Sequence, residues 1–429
     1  MSHLNSQSQA PRGTAEQTKT TLCILIDGFR HDYLEPAQTP FLCELAKKGF
    51  SVPLREPFAF QLRPAFFAGL WPEECGIAHL YMLEPEGSPY RFLREAPWLL
   101  ELEEEWGEML RPILVAEARR AEICAGHPAS GRYAHTARVP FSSLSYFSYS
   151  ETQLTWMPDG LPSPTIFDHL RARGEKWLWT AYPGDDLRTA AVLEAFRQRF
   201  RPEHRLVYLQ FGEPDWVGHA KGPHSPQMQA CLRQVDNAVR QIVSCLEEAG
   251  VVWNGIFFGD HGMVPVARRV NILPLLQQTG LRAPEDYIYF LDSTQARFWF
   301  KSDSARRRIE KELARFSGGR VLTEEDLERL HFRFSDKRFG ELIWAADEGV
   351  VLHPNFFQGK EAVRGMHGYL PEAEANWARL VVAGEGTGLP AAASGEGGPV
   401  EMVQIFPILM ELLRADIDSP PQYVCEARR

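Results

Sequence analysis

Three largely apolar runs each stop abruptly at an acidic turn, and this pattern limits the fold more than any other feature. Thr21–Ile26 ends in Asp27-Gly28, Arg205–Phe211 leads into Gly212-Glu213-Pro214-Asp215, and Gly255–Phe258 ends in Gly259-Asp260-His261-Gly262. Strands this apolar belong to sheets covered on both faces. Helical patterns alternate with them: 40–50, closed by Gly49, then 163–183 (a helix, then a strand from Lys176 to Ala181), and 186–200. That alternation predicts an α/β fold with a mostly parallel sheet sandwiched by helices. The stripe Met228, Leu232, Val235, Val239, Ile242, Val243 and Leu246, capped by Ser225 with Pro226 in the first turn, marks a long packing helix ended by Gly250.

The 429 residues suit one large domain with insertions rather than three domains. Residues 1–20 read as a polar, disordered tail, and the remainder as one catalytic-type domain. Two stretches break the strand–helix rhythm. Residues 83–150 carry a long charged helical segment from Pro97 to Arg120 and read as a cap. Residues 287–351, with an alternating Ala296–Phe300, a helical Ser304–Phe316 and a strand at Leu342–Ala345, read as a small α+β subdomain. Leu380–Gly384 is a last core strand, 384–398 a loop too glycine-rich and misplaced for a nucleotide fingerprint, and Met402–Leu413 a closing helix.

A net charge of −10 argues against a general binder of nucleic-acid duplexes or membrane surfaces. No run of about 18 apolar residues exists for a membrane span, and the polar start is not a signal peptide. Seven scattered cysteines without a CxxC indicate reduced thiols, and a cytoplasmic location is expected.

The acidic turns carry the chemistry. Asp215 and His219 are four apart, so one helical face presents both. Asp260 and His261 are adjacent at a strand end, where flanking glycines permit unusual backbone angles. Asp27 ends another strand, and Gly365-Met366-His367-Gly368 returns to the glycine–histidine idiom. Parallel strands deliver their carboxyl ends to one edge, where these groups can meet. Six oxygen and nitrogen ligands exceed one tetrahedral zinc; they suit two ions about 4 Å apart sharing a phosphoryl group.

The segments IDG at Asp27, AGLWPEECGI from Ala68, EPDWVGHAKGPHS from Glu213, GDHGM from Gly259, MHGYLP from Met366 and VQIFPILMELL from Val403 occur in family order. Together they resemble the type I phosphodiesterase and nucleotide pyrophosphatase branch of the alkaline phosphatase superfamily, over residues 22–413. The resemblance implies an alkaline phosphatase-like fold and a phosphodiester, nucleotide or other small phosphorylated substrate. It implies one metal on Asp215, His219 and His367 and a second on Asp27, Asp260 and His261. Two divalent ions are implied, zinc first, with manganese, iron or cobalt also compatible with Asp/His ligands.

The family nucleophile, a Ser or Thr ten residues before the motif glycine, falls at Ala59, and no Ser, Thr or Cys occurs from Pro53 to Trp71. A methyl group cannot attack phosphorus, so turnover is expected to fall by a factor on the order of 10⁶. The alanine fits an introduced trap, a natural phospholigand-binding pseudoenzyme with a regulatory role, or slow direct attack by water. Leu80 stands where the family often places a phosphate-holding Asn; His79 and Arg63 are the candidate substitutes for substrate binding. Sulfatase chemistry is not indicated, because no C/S-x-P-x-R string occurs in that region.

Overall fold

Apolar strands need cover on two faces, and the chain supplies it around a seven-stranded sheet. The computed structural model describes residues 19–124, 138–151, 154–358, 363–387 and 398–414. Across the sheet the strands run Val400–Glu401, Phe50–Arg55, Ala378–Gly384, Val252–Phe258, Lys19–Ile26, His204–Phe211 and Lys176–Thr180. The last four are mutually parallel, whereas Ala378–Gly384 runs antiparallel to both of its neighbours.

Side-chain alternation along Lys19–Ile26 shows why the run is apolar throughout. Leu22, Ile24 and Ile26 face a core shared with the helix Pro226–Glu248, while Cys23 and Leu25 face one shared with Phe66, Phe67 and Leu409. The strand begins at Lys19, before the expected end of the tail: Thr20 and Thr21 are buried, and their hydroxyls donate to His204 O and Asn254 Oδ1. Residues 1–18 and the glycine-rich 388–397 lie outside the described residues.

Helix Pro40–Lys48 lacks a side-chain cap of its own. Asp236, from the helix Pro226–Glu248, supplies one instead, accepting the Phe41 and Leu42 N–H groups at 3.1 and 2.9 Å. The carboxylate thus satisfies two orphan donors and pins one helix to another.

A four-stranded antiparallel sheet forms in the order Tyr287–Leu291, Gln295–Phe300, Leu342–Ala346, Gly319–Val321, with helix Asp303–Leu313 contributing Ile309 and Leu313 to its core. The strands Tyr81–Leu83 and Phe147–Tyr149 pair antiparallel, closing the intervening stretch into a loop on the main chain path. Its Tyr90, Leu93, Leu114 and Phe141 join one core with Phe290, Phe298 and Trp344, so both stretches build a single second lobe. The expected alternation in Ala296–Phe300 is corrected: both faces are buried, and Arg297 is fully enclosed, paired with Asp292 at 2.9 Å. The closing segment is likewise two pieces, a 3₁₀ turn Met402–Gln404 and the helix Ile405–Arg414.

Asp236→Ala removes both caps from Pro40–Lys48. It is expected to cost about 1–3 kcal/mol, read as a lower urea midpoint at unchanged slope.

Candidate metal centre

Three central parallel strands set the positions of the acidic groups. Asp27 follows Lys19–Ile26 directly, its N–H bonded to Phe211 O of the neighbouring strand at 2.9 Å. Asp215 lies in the first turn of the helix Glu213–Lys221, entered from His204–Phe211. Asp260 follows Val252–Phe258 after the single residue Gly259. His367 arrives from outside this sheet, just beyond the short strand Gly365–Met366, which pairs with Val264–Pro265.

Glycine at 259 and 262 serves close backbone approach, not unusual dihedral angles. A Cβ at Gly259 would sit 2.6 Å from Phe29 O, and one at Gly262 would sit 2.4 Å from Ala375 O. Neither has a positive φ; Gly28, at +71°, does. The Asp260–Gly262 turn is held from outside, because Gly262 N donates to Asn376 O at 2.6 Å and Met263 N to Ala375 O at 3.1 Å.

All six sequence-identified groups come together. Asp27, Asp260 and His261 present ligand atoms within 4.8 Å of one another, as do Asp215, His261 and His367. His219 Nε2 lies 3.1 Å from Asp215 Oδ1, and His367 Nε2 lies 3.8 Å from the same oxygen. His261 occupies the middle, its Nε2 at 3.4 Å from Asp27, 3.7 Å from Asp260 and 4.0 Å from Asp215. Its ring stacks on His367 with centroids 3.6 Å apart.

Two features fit this set to a cation. His219 Nδ1 pairs with Gly365 O at 2.9 Å and His261 Nδ1 with Gly262 O at 2.8 Å. A carbonyl accepts only from N–H, so Nδ1 of each ring carries a hydrogen and Nε2 is the atom turned toward the cluster, the orientation of a metal-binding imidazole. Asp215 Oδ1 is buried and, despite the nearby His219 nitrogen, receives no well-aligned hydrogen bond.

The electrostatics follow from crowding. Burial, reinforced by the Asp260 charge, pushes Asp27 up to about 7. Burial alone would lower His261, but the Asp260, Asp27 and Asp215 carboxylates outweigh it and raise it well above the usual value. Asp215 is held below the carboxylate range: burial opposes this, but His219, His367 and His261 prevail. His367 is pushed well down by burial and then by His261.

A cavity of about 260 Å³ opens beside Asp260, lined by Phe60, Gln61, Arg63, Leu80, Tyr182 and Gln210 among others. Arg63 is among the lining residues, donating to Tyr182 O at 2.9 Å with its guanidinium 5.8 Å from that ring's centre. Ala59 is 5% exposed and packs in the core; its neighbours from Phe60 to Arg63 line the cavity.

His79 is corrected as a substrate-binding group. It is fully buried among Phe58, Phe60, Phe332 and Phe339, with neither ring nitrogen partnered, and burial pushes it well down. Gln210 went unrecognised in the sequence; its Nε2 donates to Asp27 Oδ2 at 3.0 Å and orients that carboxylate. Its signal was a lone amide at the end of an apolar strand. Glu56 and Asn376 also escaped notice. They bond to each other, and Asn376 Oδ1 accepts the Gly368 N–H at 3.1 Å, tying the loop before Ala59 to the His367 turn.

The mostly parallel sheet flanked by helices, with carboxylates and imidazoles clustered along one edge, is an alkaline phosphatase-like fold. The chain belongs to the type I phosphodiesterase / nucleotide pyrophosphatase family, whose model matches residues 21–370. It is 27% identical over 261 residues to an uncharacterized pyrophosphatase/phosphodiesterase of Schizosaccharomyces pombe, covering 59% of this chain and 47% of that protein. It is 23% identical to a bis(5'-adenosyl)-triphosphatase of Xenopus laevis, covering 83% of this chain and 70% of that one. In structure it is similar to human ectonucleotide pyrophosphatase/phosphodiesterase 5, with TM-score 0.63 at 18% identity, covering 94% of this chain and 97% of that one. It is also similar to an inactive threonine-to-alanine variant of the murine protein in complex with AMP, with TM-score 0.62 at 19% identity, over 94% and 97% of the two chains.

Asp27, raised to about 7, and His261, raised well above its usual value, each hold a proton that a bound cation must displace. Divalent-metal affinity is therefore expected to rise with pH through about 7, by up to about tenfold per unit for each proton displaced, with proton release visible as a buffer-dependent heat. Competition titrations on either side of pH 7 check this; a flat profile contradicts it.

Proposed function

We propose that the chain is a two-metal phosphoester-hydrolase scaffold that binds a small phosphorylated ligand, such as a nucleotide or phosphodiester. In this reading covalent turnover is absent or very slow because Ala59 stands at the nucleophile position. The observation that carries it is the contrast between a complete six-group cluster and a segment from Pro53 to Trp71 without Ser, Thr or Cys.

One divalent ion would rest on Asp215, His219 and His367 and the other on Asp27, Asp260 and His261, zinc in the first instance; they would supply Lewis-acid charge to a phosphoryl group. The chain's own residues do the rest. Asp215 and His261 lie between the two sets, Gln210 fixes Asp27, and the carbonyls of Gly262 and Gly365 fix two imidazoles. Arg63, which lines the same cavity as Asp260, is the fork of donors available to phosphoryl oxygens there. Leu80 gives the same cavity an apolar wall where an amide was expected.

The relatives' names support phosphodiester or pyrophosphate ligands, one solved relative carries AMP, and that relative is itself an alanine variant described as inactive. A second reading, a regulatory receptor for a phosphorylated ligand, shares the site and differs only in whether turnover can be restored.

Ala59→Ser and Ala59→Thr are expected to gain at least about 10³-fold in turnover of chromogenic phosphodiesters with zinc or manganese. If both variants stay inert while calorimetry still detects metal-dependent nucleotide binding, the receptor reading replaces the hydrolase one. Arg63→Ala is expected to raise the dissociation constant for AMP by about tenfold, read by the same calorimetry, and to leave metal content unchanged.

A further inference from the structure

Behind the His219 and His367 elements lies a second concavity, of about 560 Å³. Lys221, His224, Arg268, Arg269 and Arg364 line it, and no carboxylate does. All five are exposed. Among the described residues, Lys221, Arg268, Arg269 and Arg364 form no ion pair and no side-chain hydrogen bond. In a chain of net charge −10, four permanent cations left together without counter-charges stand out. Their mutual repulsion is a cost, which an anion would reverse.

The backbone adds a further positive element. Ser225 lines the same groove and caps the 23-residue helix Pro226–Glu248, so the positive end of that helix opens onto it. The groove is built on the frame of the cluster but is separate from it. Arg364 N donates to His219 O at 2.8 Å, Val266 N donates to Arg364 O at 2.9 Å, and Lys221 lies two residues beyond His219. None of the six cluster residues lines the groove.

We infer that this groove is a second anion site that takes a compact polyanion bearing two or more phosphate groups. Arg269 and Arg364 favour phosphate because a guanidinium offers a planar fork of donors, and the lysine adds a point charge; Arg268 also lines the groove, but its guanidinium lies against Gly318. Several phosphates are required because several cations are unpaired, and a volume of about 560 Å³ accommodates more than one such group. Two sources carry this chemistry: a free polyphosphate-type anion, or the distal phosphates of a nucleotide.

The test is calorimetric titration of the full chain, stripped of metal with chelator, using inorganic tripolyphosphate as probe. The metal-free condition makes the result independent of the proposed two-metal site. Saturable binding is expected, weakening by about tenfold or more as ionic strength rises from about 0.01 M to about 0.15 M. The double variant Arg269→Ala/Arg364→Ala is expected to weaken it by about tenfold or more, with an unchanged melting temperature because both side chains are exposed. No saturable binding at low salt, or equal binding by the double variant, overturns the inference. A second arm titrates metal-loaded protein with ATP and AMP. A groove for nucleotide tails makes the double variant weaken ATP and spare AMP; a groove for a free polyanion leaves both nucleotides unchanged while tripolyphosphate binding falls.

Discussion

Three carboxylates and three imidazoles crowd one edge of the sheet, and the rest of the structure serves to keep them there. Like charges this close repel, and burial withdraws the water that would screen them. Burial and that repulsion raise Asp27 to about 7, and the three carboxylates around His261 raise it well above its usual value. A divalent cation would offset that repulsion directly. The surrounding backbone ties the rim together, since Gly262 and Met263 donate to the carbonyls of 376 and 375 and the Gly368 N–H donates to the Asn376 side chain.

The order of strands explains how residues so distant in sequence meet. Lys19–Ile26 sits centrally, flanked by His204–Phe211 on one side and Val252–Phe258 on the other, all parallel. Their carboxyl ends therefore release Asp27, the helix with Asp215 and His219, and the Asp260–His261 turn at one rim. His367 is delivered by the pairing of Gly365–Met366 with Val264–Pro265, the chain that directly continues the Asp260–His261 turn.

Much of this was legible in the sequence because the signals are local. An apolar run ending in Asp is visible without knowing its partners, and the four-residue spacing of Asp215 and His219 matches the helix that forms there. What stayed hidden depended on contacts between distant segments. Burial of His79 comes from phenylalanines at 58, 60, 332 and 339, and nothing in its own neighbourhood announces them. Arg297 looked like the polar half of an alternating strand, yet Asp292 and Tyr81 O satisfy it inside the second lobe. The union of residues around 90–141 with the later sheet into one core was invisible for the same reason. Glycines 259 and 262 were recognised as necessary for the wrong reason, since the need arises from strands and turns that pass within van der Waals distance.

The central claim is that this rim grips two divalent cations between groups on separate segments. Elemental analysis of the purified full chain, after equilibration with zinc and removal of loosely bound ions, tests it most directly. Two bound ions per chain, falling below one in a combined Asp260→Ala/His261→Ala variant that remains folded, is the expected result. A folded chain that retains no transition metal would contradict the account.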